Sequence, residues 1–572
     1  MKRKLQVTIA LSLVTAIVMG GCSNKANNEN SASTGNTAPS ESASPASETS
    51  QSDDQSPFGM YETPITINIG KSVGPTDKFP EGDSIDNNVW TRFYKDELGI
   101  DVKTAWTALM GEQYDQKTKL AIASGNLPDL MTVSAQQLAQ LVENDQIADL
   151  TDAVERYASE QTHALLNADG GMAMKAVTFN GKVMAIPSTG SMIDSSNVLW
   201  IRQDWLNKLG LQPPKTTADL KKIAEAFTKR DPNGNGKPDT FGLGITKDLW
   251  SGTGTAGLEG FFNSYHAYPS IWVKDASGNL AYGAVQPENK LALADLQQMY
   301  KAGWIDPEFG VKDGGRVSED ISANKIGMLF GKMSTPFYFL ASIMADPSID
   351  WRPYPLPSVD AVPASTQQDF PVQNYYVVRK AYEHPEAAVK MLNLAEEVLR
   401  TSDSDMHKRL KPQFDAASEK TEGFAVFPFV YGDLPTKNID AYTNIQKAIK
   451  AKDESALKTN DEKKSYEGLL DYINTKNPAN VTYWLVFGPT GSQSVLSEYY
   501  NNNRFIGSEF YGAATTTMTT KQSTLNKLTI QEFTKIIVGN ASVDEFDRYV
   551  SDWNKIGGQQ VTKEVNDWKA SK

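Results

Sequence analysis

The feature that most constrains the fold is an alternation of strand-like and helix-like segments in the first part of the chain. Residues 64–70 alternate apolar and polar side chains and stop at a glycine, which is typical of a strand. A helical pattern follows over residues 87–98, a strand-like piece over 100–105, a helix over 114–124 and a short apolar strand over 129–133. Strands separated by helices in this rhythm lie side by side in the same direction. The sequence therefore predicts a parallel α/β sheet.

The same alternation resumes later, and the length of the chain exceeds a single hydrophobic core. Strand patterns occur at residues 181–187 and 197–201, and helices are predicted over 288–302 and 385–400. A chain of 572 residues is expected to form two or more lobes.

The last part of the chain is predicted to be mostly helical. Residues 529–532 and 542–545 have the pattern Ser/Thr-x-x-Glu, which is typical of a capping box at the start of a helix. We therefore expect one helix to begin at Thr529 and another at Ser542.

The amino terminus indicates export. Basic residues at positions 2–4 precede an uncharged, largely apolar run over residues 5–18, as in a secretory signal. Small residues then precede Cys22, the one cysteine of the sequence. This arrangement resembles a bacterial lipoprotein signal, in which the peptidase needs small side chains and the thiol carries the lipid. We expect residues 1–21 to be a signal peptide and Cys22 to be lipidated.

Residues 22–60 are rich in Ser and Asn and contain almost nothing that could form a core. Such a segment cannot offset the entropy cost of ordering, so we expect a disordered tether. No later segment offers about twenty uninterrupted apolar residues, so the lipid is expected to be the sole membrane attachment, on the extracellular face. A tether would suit a surface enzyme as well as a receptor, so it indicates location and not chemistry.

Composition argues against several classes of function. The net charge is −13 without a basic stripe, which argues against a nucleic-acid partner. The four histidines are too far apart in sequence for a zinc motif, and no Gly-x-Ser-x-Gly sequence is present. By contrast, aromatic residues make up 10% of the chain, and rings with polar neighbours are what a sugar site needs.

A series of segments in a fixed order carries a resemblance to a known family. They lie at residues 119–129, 181–187, 201–210, 213–219, 302–308, 325–328, 543–550 and 557–568. Together they resemble family 1 extracellular solute-binding proteins, in particular the large lipoproteins of the LplA and alginate-binding type. The resemblance runs from about residue 64 to residue 568.

The resemblance implies a two-lobed periplasmic-binding-protein fold of type II, with a helical carboxyl-terminal region. It also implies a monomer that is not an enzyme, with an oligosaccharide ligand and an ABC permease pair in the membrane as partners. We expect residues 61–190 to form the first part of the N-terminal lobe and residues 191–400 to form the second α/β lobe. Residues 401–572 are expected to complete both lobes.

Residues 231–240 have the spacing of a calcium-binding loop. Oxygen side chains fall at positions one, three, five and nine, glycine occupies position six, and the backbone carbonyl of Lys237 supplies position seven. The side chains are Asp231, Asn233, Asn235 and Asp239. Position twelve is Gly242 instead of a glutamate, and Thr240 stands where the alginate-binding relatives have a carboxylate. The alternative is a metal-free turn rich in Asn, Asp, Pro and Gly.

Candidate ligand-binding residues are aromatic residues with polar neighbours and two arginines that could pair with an acidic sugar. Trp272 comes first because relatives often place a loop tryptophan near the cleft. The others are Trp250, Tyr338, Tyr375, Tyr376, Trp484, Tyr511, Arg202 and Arg316. For each of them the alternative is core packing or an unrelated surface position.

Two other functions remain open on sequence alone. A surface polysaccharide hydrolase needs only two suitably spaced carboxylates, and the chain has 69 acidic residues. A glycan-binding adhesin would share the anchor and the aromatic residues without a closing cleft.

Overall fold

The computed structural model of the protein describes residues 56–571, apart from residues 251–253, 371, 373, 402 and 423–424. The predicted signal peptide, Cys22 and most of the tether lie outside the described residues. In chain order the strands are β1 (Ile65–Val73), β2 (Ile100–Leu109), β3 (Leu130–Val133), β4 (Thr178–Phe179), β5 (Lys182–Val183), β6 (Ile186–Ser188), β7 (Val198–Arg202), β8 (Phe241–Leu243), β9 (Trp272–Lys274), β10 (Leu280–Tyr282), β11 (Ile326–Gly331), β12 (Trp351–Tyr354), β13 (Thr366–Gln368), β14 (Asn374–Val378) and β15 (Phe505–Gly507).

Helices connect these strands and form most of the last part of the chain. In chain order they are α1 (Val89–Leu98), α2 (Glu112–Ser124), α3 (Ala135–Glu143), α4 (Thr151–Tyr157), α5 (Glu160–Asn167), α6 (Met172–Val177), α7 (Gln203–Leu209), α8 (Thr217–Lys229), α9 (Glu259–Asn263), α10 (Asn289–Lys301), α11 (Gly314–Ser322), α12 (Pro336–Ala345), α13 (Ala387–Arg400), α14 (Asp405–Ser418), α15 (Lys437–Ala451), α16 (Asn460–Thr475), α17 (Val481–Phe487), α18 (Ser492–Asn501), α19 (Thr516–Ile537), α20 (Glu545–Trp553) and α21 (Gln559–Ala570).

The first sheet has the strand order β2-β1-β3-β14-β6. β1 pairs in parallel with β2 and β3, which confirms the predicted parallel sheet, and β14 runs antiparallel to β3 and β6. Side chains Ile65, Ile67 and Ile69 alternate along β1 and pack against α1 and α13. Side chains of α3 and α6 pack on the other face, beside Met131 and Val133. This sheet with α1–α6, α13 and α14 is lobe 1.

The second sheet has the order β12-β7-β11-β8, with β7 antiparallel to both neighbours and β8 parallel to β11. Every residue of β7 and β11 is buried, because helices cover both faces of the sheet. Phe533 and Trp553, from α19 and α20, share the core that Trp200 and Phe330 form in this sheet. This sheet with α7–α12 and α15–α21 is lobe 2.

The chain passes between the lobes between β6 and β7, between β13 and β14, and between Val430 and α15. We call these three segments the crossing region. The backbone N–H of Asp433 donates to the carbonyl of Thr189 at 2.8 Å, which joins the third segment to the first. The backbone N–H of Asp369 donates to Ser195 Oγ at 3.2 Å, which joins the second segment to the first. The connections between the lobes therefore form one hydrogen-bonded group.

Replacing Trp351 with alanine should destabilise the protein strongly. The Trp351 ring is 1% exposed and stacks on Phe339 with ring centroids 4.2 Å apart. Its loss opens a cavity in lobe 2, which should cost about 3–5 kcal/mol of unfolding free energy in guanidinium denaturation. Phe337→Ala is the control, because Phe337 lies on the same helix as Phe339 but is 67% exposed. Equal, small losses in both variants would contradict this packing.

Candidate functional site

The carboxyl ends of strands from both sheets face the crossing region. In the first sheet β1, β2 and β3 end at one edge, and β6 ends there too, because Ser188 pairs with Asn374 at the start of β14. In the second sheet Gly331, at the end of β11, pairs with Val198, the first residue after the chain has crossed. Ligands bind outside the carboxyl ends of strands in open α/β sheets. The candidate site is therefore the space between these two edges, which we call the groove.

Asp194 fixes the first crossing segment to lobe 2. Its carboxylate accepts hydrogen bonds from Asn438 Nδ2 at 2.5 Å and from Gln493 Nε2 at 3.1 Å. Burial raises the pKa of Asp194 although these donors and Ser191 favour the charged form. The donors come from α15 and α18, so two helices that are distant in sequence are held by one crossing residue.

Arg400 fixes the third crossing segment to lobe 1. Its guanidinium group, on α13, donates to the carboxylates of Glu396 and Asp433 and to the carbonyl of Gly432. Burial raises the pKa of Glu396 to about 7, with Arg400 opposing this rise and Asp433 adding to it. Two acidic groups thus share one cation at this end of the crossing region.

Two predicted aromatic residues lie at the crossing region. The Tyr376 hydroxyl donates to the carbonyl of Tyr431 at 3.2 Å. Tyr511 stacks on Phe370, in the second crossing segment, at 6.0 Å and meets the edge of Trp568 at 4.7 Å. Their part in ligand binding stays a prediction.

Arg202 is placed differently from the sequence expectation. It lies at the far end of β7 from the crossing region, and its buried guanidinium group pairs with Asp204 at 2.6 Å and lies over the Trp205 ring. Because its charge is already paired inside lobe 2, Arg202 cannot receive a ligand carboxylate in the groove. Arg316 is exposed on α11 and pairs with Glu319 at 2.8 Å.

Four other candidates pack against rings or core residues of their own lobe. Trp272 is 6% exposed and its ring lies 5.5 Å from Tyr282. Trp250 meets the edge of Phe262 at 5.5 Å, and Trp484 lies beside Tyr472. Tyr338, which is half-buried, packs against the core of lobe 2. These contacts give each side chain a packing role, and a part in ligand binding stays a prediction for each of them.

Tyr375 is 2% exposed in β14 and belongs to the core on the α3 and α6 face of the first sheet. Its neighbour Tyr376 packs on the opposite face of the sheet, because successive side chains along a strand point to opposite faces.

The groove contains residues that the sequence reasoning missed. Lys71 lies at the carboxyl end of β1, and the Trp106 indole lies across Gly70, where a Cβ would be 2.5 Å from the ring. Aromatic rings also recur at Phe427 and Tyr431, where the third crossing begins, and their centroids are 5.5 Å apart. The available signals were a lysine directly after the glycine of the first strand and aromatic residues at alternate positions from 427 to 431.

The predicted metal-binding loop brings its oxygen side chains together. Asp231 accepts hydrogen bonds from the backbone N–H groups of Asn235 at 3.1 Å and Gly236 at 3.0 Å. The Asp239 carboxylate accepts from Asn233 Nδ2 at 3.2 Å and from Asn235 Nδ2 at 3.1 Å. Rotating each amide would turn its oxygen toward the same point. Two carboxylates, two amide oxygens and the carbonyl of Lys237 are ligands that suit calcium.

Two positions in this segment do not add ligands. The buried Thr240 hydroxyl donates to the carbonyl of Phe227 at 2.8 Å and so faces the core. Gly242 lies against α8, where a Cβ would be 2.4 Å from Ala224 Cα. Within the part of the chain that the structure describes, no three His, Cys, Asp or Glu side chains form a metal site. The loop is thus a low-charge candidate, of the kind that binds calcium weakly.

A surface cavity of about 380 Å³ lies apart from this loop. Its lining includes Tyr268, Lys274, Phe505 and Glu509, all from lobe 2. Because lobe 1 contributes no lining residue, movement of the two lobes toward each other would not enclose a ligand there.

Solved structures share this two-lobed architecture. A solute-binding protein associated with an HMO-binding ABC transporter, from Bifidobacterium longum infantis ATCC 15697, superposes with a TM-score of 0.58 at 16% identity, over 89% of this chain and 99% of that one. The substrate-binding protein FusA of Streptococcus pneumoniae, in complex with kestose, gives a TM-score of 0.54 at 17% identity, over 89% and 100% of the two chains. The fold is thus that of the two-lobed periplasmic solute-binding proteins.

The sequence itself places the chain in a family. The sequence model described as "Bacterial extracellular solute-binding protein" matches residues 76–397, and the chain belongs to this family. Lipoprotein LipO of Bacillus subtilis (strain 168) is 23% identical over 82% of this chain and 86% of its own length. The polygalacturonan/rhamnogalacturonan-binding protein YtcQ of the same organism is 28% identical over 38% of this chain. That match spans 42% of YtcQ, less than half of its length.

None of the helices among the described residues is both long enough and apolar enough to cross a membrane. Cys22, the predicted lipidation site, lies outside the described residues.

Replacing Glu396 with glutamine should remove a pH dependence of stability. The pKa of Glu396 is about 7 in the folded protein and ordinary in the unfolded chain, so the folded state holds an extra proton between about pH 4.5 and 7. Stability from this group is therefore complete below that window and is lost as the pH rises through it, by up to about 3 kcal/mol.

The measurement is the unfolding free energy of wild type and Glu396→Gln at pH 5 and pH 8. The wild type should lose stability relative to the variant at the higher pH. Glu225→Gln, which removes one member of an exposed ion pair with Lys229, is the control and should follow the wild type. Parallel pH profiles of wild type and Glu396→Gln would contradict the assignment.

Proposed function

We propose that this protein is a lipid-anchored receptor that captures an oligosaccharide in the groove and delivers it to an ABC importer. The observation that carries the proposal is that the carboxyl edges of both sheets face one crossing region. Three short chain segments joined by hydrogen bonds allow two rigid lobes to close on a ligand without any bond being made or broken. The partners are an oligosaccharide and a permease pair in the membrane, and the protein acts as a monomer.

The relatives support this choice of ligand class. FusA is described with kestose, and YtcQ is named for binding polygalacturonan and rhamnogalacturonan. The family and its structural neighbours are binding proteins, so we propose that the ligand is released unaltered. The lipid anchor at Cys22 is supported by the signal-like amino terminus and by the relative LipO, which is a lipoprotein.

Calcium binding is a second part of the proposal. The side chains of Asp231, Asn233, Asn235 and Asp239 and the carbonyl of Lys237 would hold the ion. The similar structures include one of alginate-binding protein AlgQ2 without calcium ion and one of an EF-hand mutant of FusA. The loop lies between α8 and β8, so the ion would brace lobe 2 and take no part in ligand chemistry.

A panel of oligosaccharides should identify ligands by thermal shift. A sugar that binds only the folded state at a hundred times its dissociation constant adds about 2.7 kcal/mol, which raises the melting temperature. We expect at least one oligosaccharide to do so and to be recovered intact after incubation, as measured by chromatography. Shortened products would favour the hydrolase, and no shift with any sugar would refute the receptor.

Calcium should raise the melting temperature in a way that depends on the loop. At ten times the dissociation constant the ion should add about 1.4 kcal/mol, and Asp239→Ala should abolish this gain. Asp453→Ala is the matched control, because Asp453 is also an aspartate that accepts backbone and hydroxyl hydrogen bonds in an exposed turn. The proposed site is wrong if Asp239→Ala keeps the full response.

A further inference from the structure

The carboxyl end of β1 carries a buried ammonium group that has no hydrogen-bonding partner among the described residues. Lys71 Nζ is shielded from solvent, and its nearest ring is Phe429, with the centroid 4.3 Å away. Burial lowers the pKa of Lys71 to about 8, although the charge of Asp77 opposes this change. Buried cations without a hydrogen-bonding partner are rare in folded proteins, because the desolvation cost is not repaid.

Other buried lysines in the chain have their own partners. Lys312 pairs with Asp306 and with Asp320, the latter at 2.7 Å, and Lys411 pairs with Asp415. Lys390 donates to the carbonyl of Gly59 at 2.8 Å. These contacts lie inside one lobe and need no outside molecule. Lys71 differs from them because its ammonium group donates no hydrogen bond to a described residue and because it lies near the carboxyl end of β1.

The position of Lys71 is the edge of the first sheet that faces the groove. Phe429 precedes Tyr431 by two residues, and the Tyr431 carbonyl accepts hydrogen bonds from Tyr376 and Ser188 where β14 and β6 meet the crossing region. Lys71, near the end of β1, thus contacts the segment that leads into the third crossing.

Further aromatic rings lie near the same end of the sheet, although among the described residues Phe429 is the one that contacts the ammonium group. Phe427 is 36% exposed and meets the edge of Tyr431 at 5.5 Å. At the preceding residue, Gly70, the Trp106 indole lies over the backbone and packs beside Tyr114 at 5.3 Å. Ring faces pack against the C–H faces of sugars, and an ammonium group forms charge-assisted hydrogen bonds with a carboxylate.

On this basis we infer that Lys71 receives a carboxylate of the bound ligand, so that the receptor takes acidic oligosaccharides built from uronate units. The inference rests on the proposed function and names the substrate class of the same groove. The chain as a whole is strongly acidic, so a ligand carboxylate needs a local cation to offset the repulsion. YtcQ is named for binding polygalacturonan, a polymer of uronate units, and this ligand is that of the relative.

The test compares an acidic ligand with its neutral counterpart. Trigalacturonate and its methyl ester share the same sugar backbone, but each carboxyl group is charged in the first and a neutral methyl ester in the second. Their affinities for the full mature chain can be measured by calorimetry at pH 7. Wild type should bind trigalacturonate the more tightly. Lys71→Met keeps the length of the side chain and should weaken trigalacturonate binding about tenfold to a hundredfold. It should change binding of the methyl ester by less than about twofold.

Two further variants separate the charge from its surroundings. Lys71→Arg keeps the positive charge and should retain most of the preference for trigalacturonate. Lys222→Met removes a lysine that is 75% exposed on α8 and should leave both affinities unchanged. Removing an unpaired buried charge should not lower the melting temperature, so a folded Lys71→Met protein is expected.

The outcomes distinguish a failure of the role of Lys71 from a failure of the receptor function. A wild type that prefers the methyl ester, or a Lys71→Met variant with undiminished affinity for trigalacturonate, overturns the role of Lys71 and leaves the receptor intact. If the wild type binds neutral oligosaccharides only, the role of Lys71 is likewise overturned and the receptor function stands. If no oligosaccharide of either kind binds, the proposed function fails, and the role of Lys71 fails with it.

Discussion

The architecture depends on the hydrogen bonds that join the three crossing segments. Neither lobe is continuous in sequence, so each must be assembled from pieces that lie on both sides of a crossing. The contact between Asp433 and Thr189 brings the first and third segments together, and the contact between Asp369 and Ser195 adds the second. Because both sheets direct carboxyl ends toward these segments, the same contacts that define the topology also define the groove.

Each end of the crossing region is anchored by buried charge. Asp194 binds two helices of lobe 2, and Arg400 of lobe 1 binds the carboxylates of Glu396 in its own helix and of Asp433 in the third crossing segment. Buried ion pairs contribute little net stability compared with apolar packing, but they strongly disfavour arrangements that leave a charge unpaired. The anchors therefore favour one pairing of segments over others.

Local patterns predicted the elements better than they predicted the ends of helices or the roles of polar residues. The first strands and helices follow from alternation and helical spacing, and a capping box formed by Ser134 and Gln137 marks the start of α3. The helix expected to begin at Thr529 was wrong, because α19 begins at Thr516 and continues through that position. Thr529 is buried there, and its hydroxyl bonds with Leu525 and Tyr549. A polar residue that is satisfied inside a helix has the same local pattern as a cap.

The loop at residues 231–239 and Lys71 show why sequence alone suggests one candidate site and not the other. All the side chains of the candidate loop lie between Asp231 and Asp239, so their spacing in sequence is enough to suggest it. Lys71 contacts Phe429, which reaches it only after the chain has crossed between the lobes twice. Arg202 shows the converse, because a cation that seemed available in sequence is paired within its own lobe. Whether folding buries a cation and supplies it with a partner is set by tertiary structure, so the sequence alone does not distinguish Lys71 from Arg202.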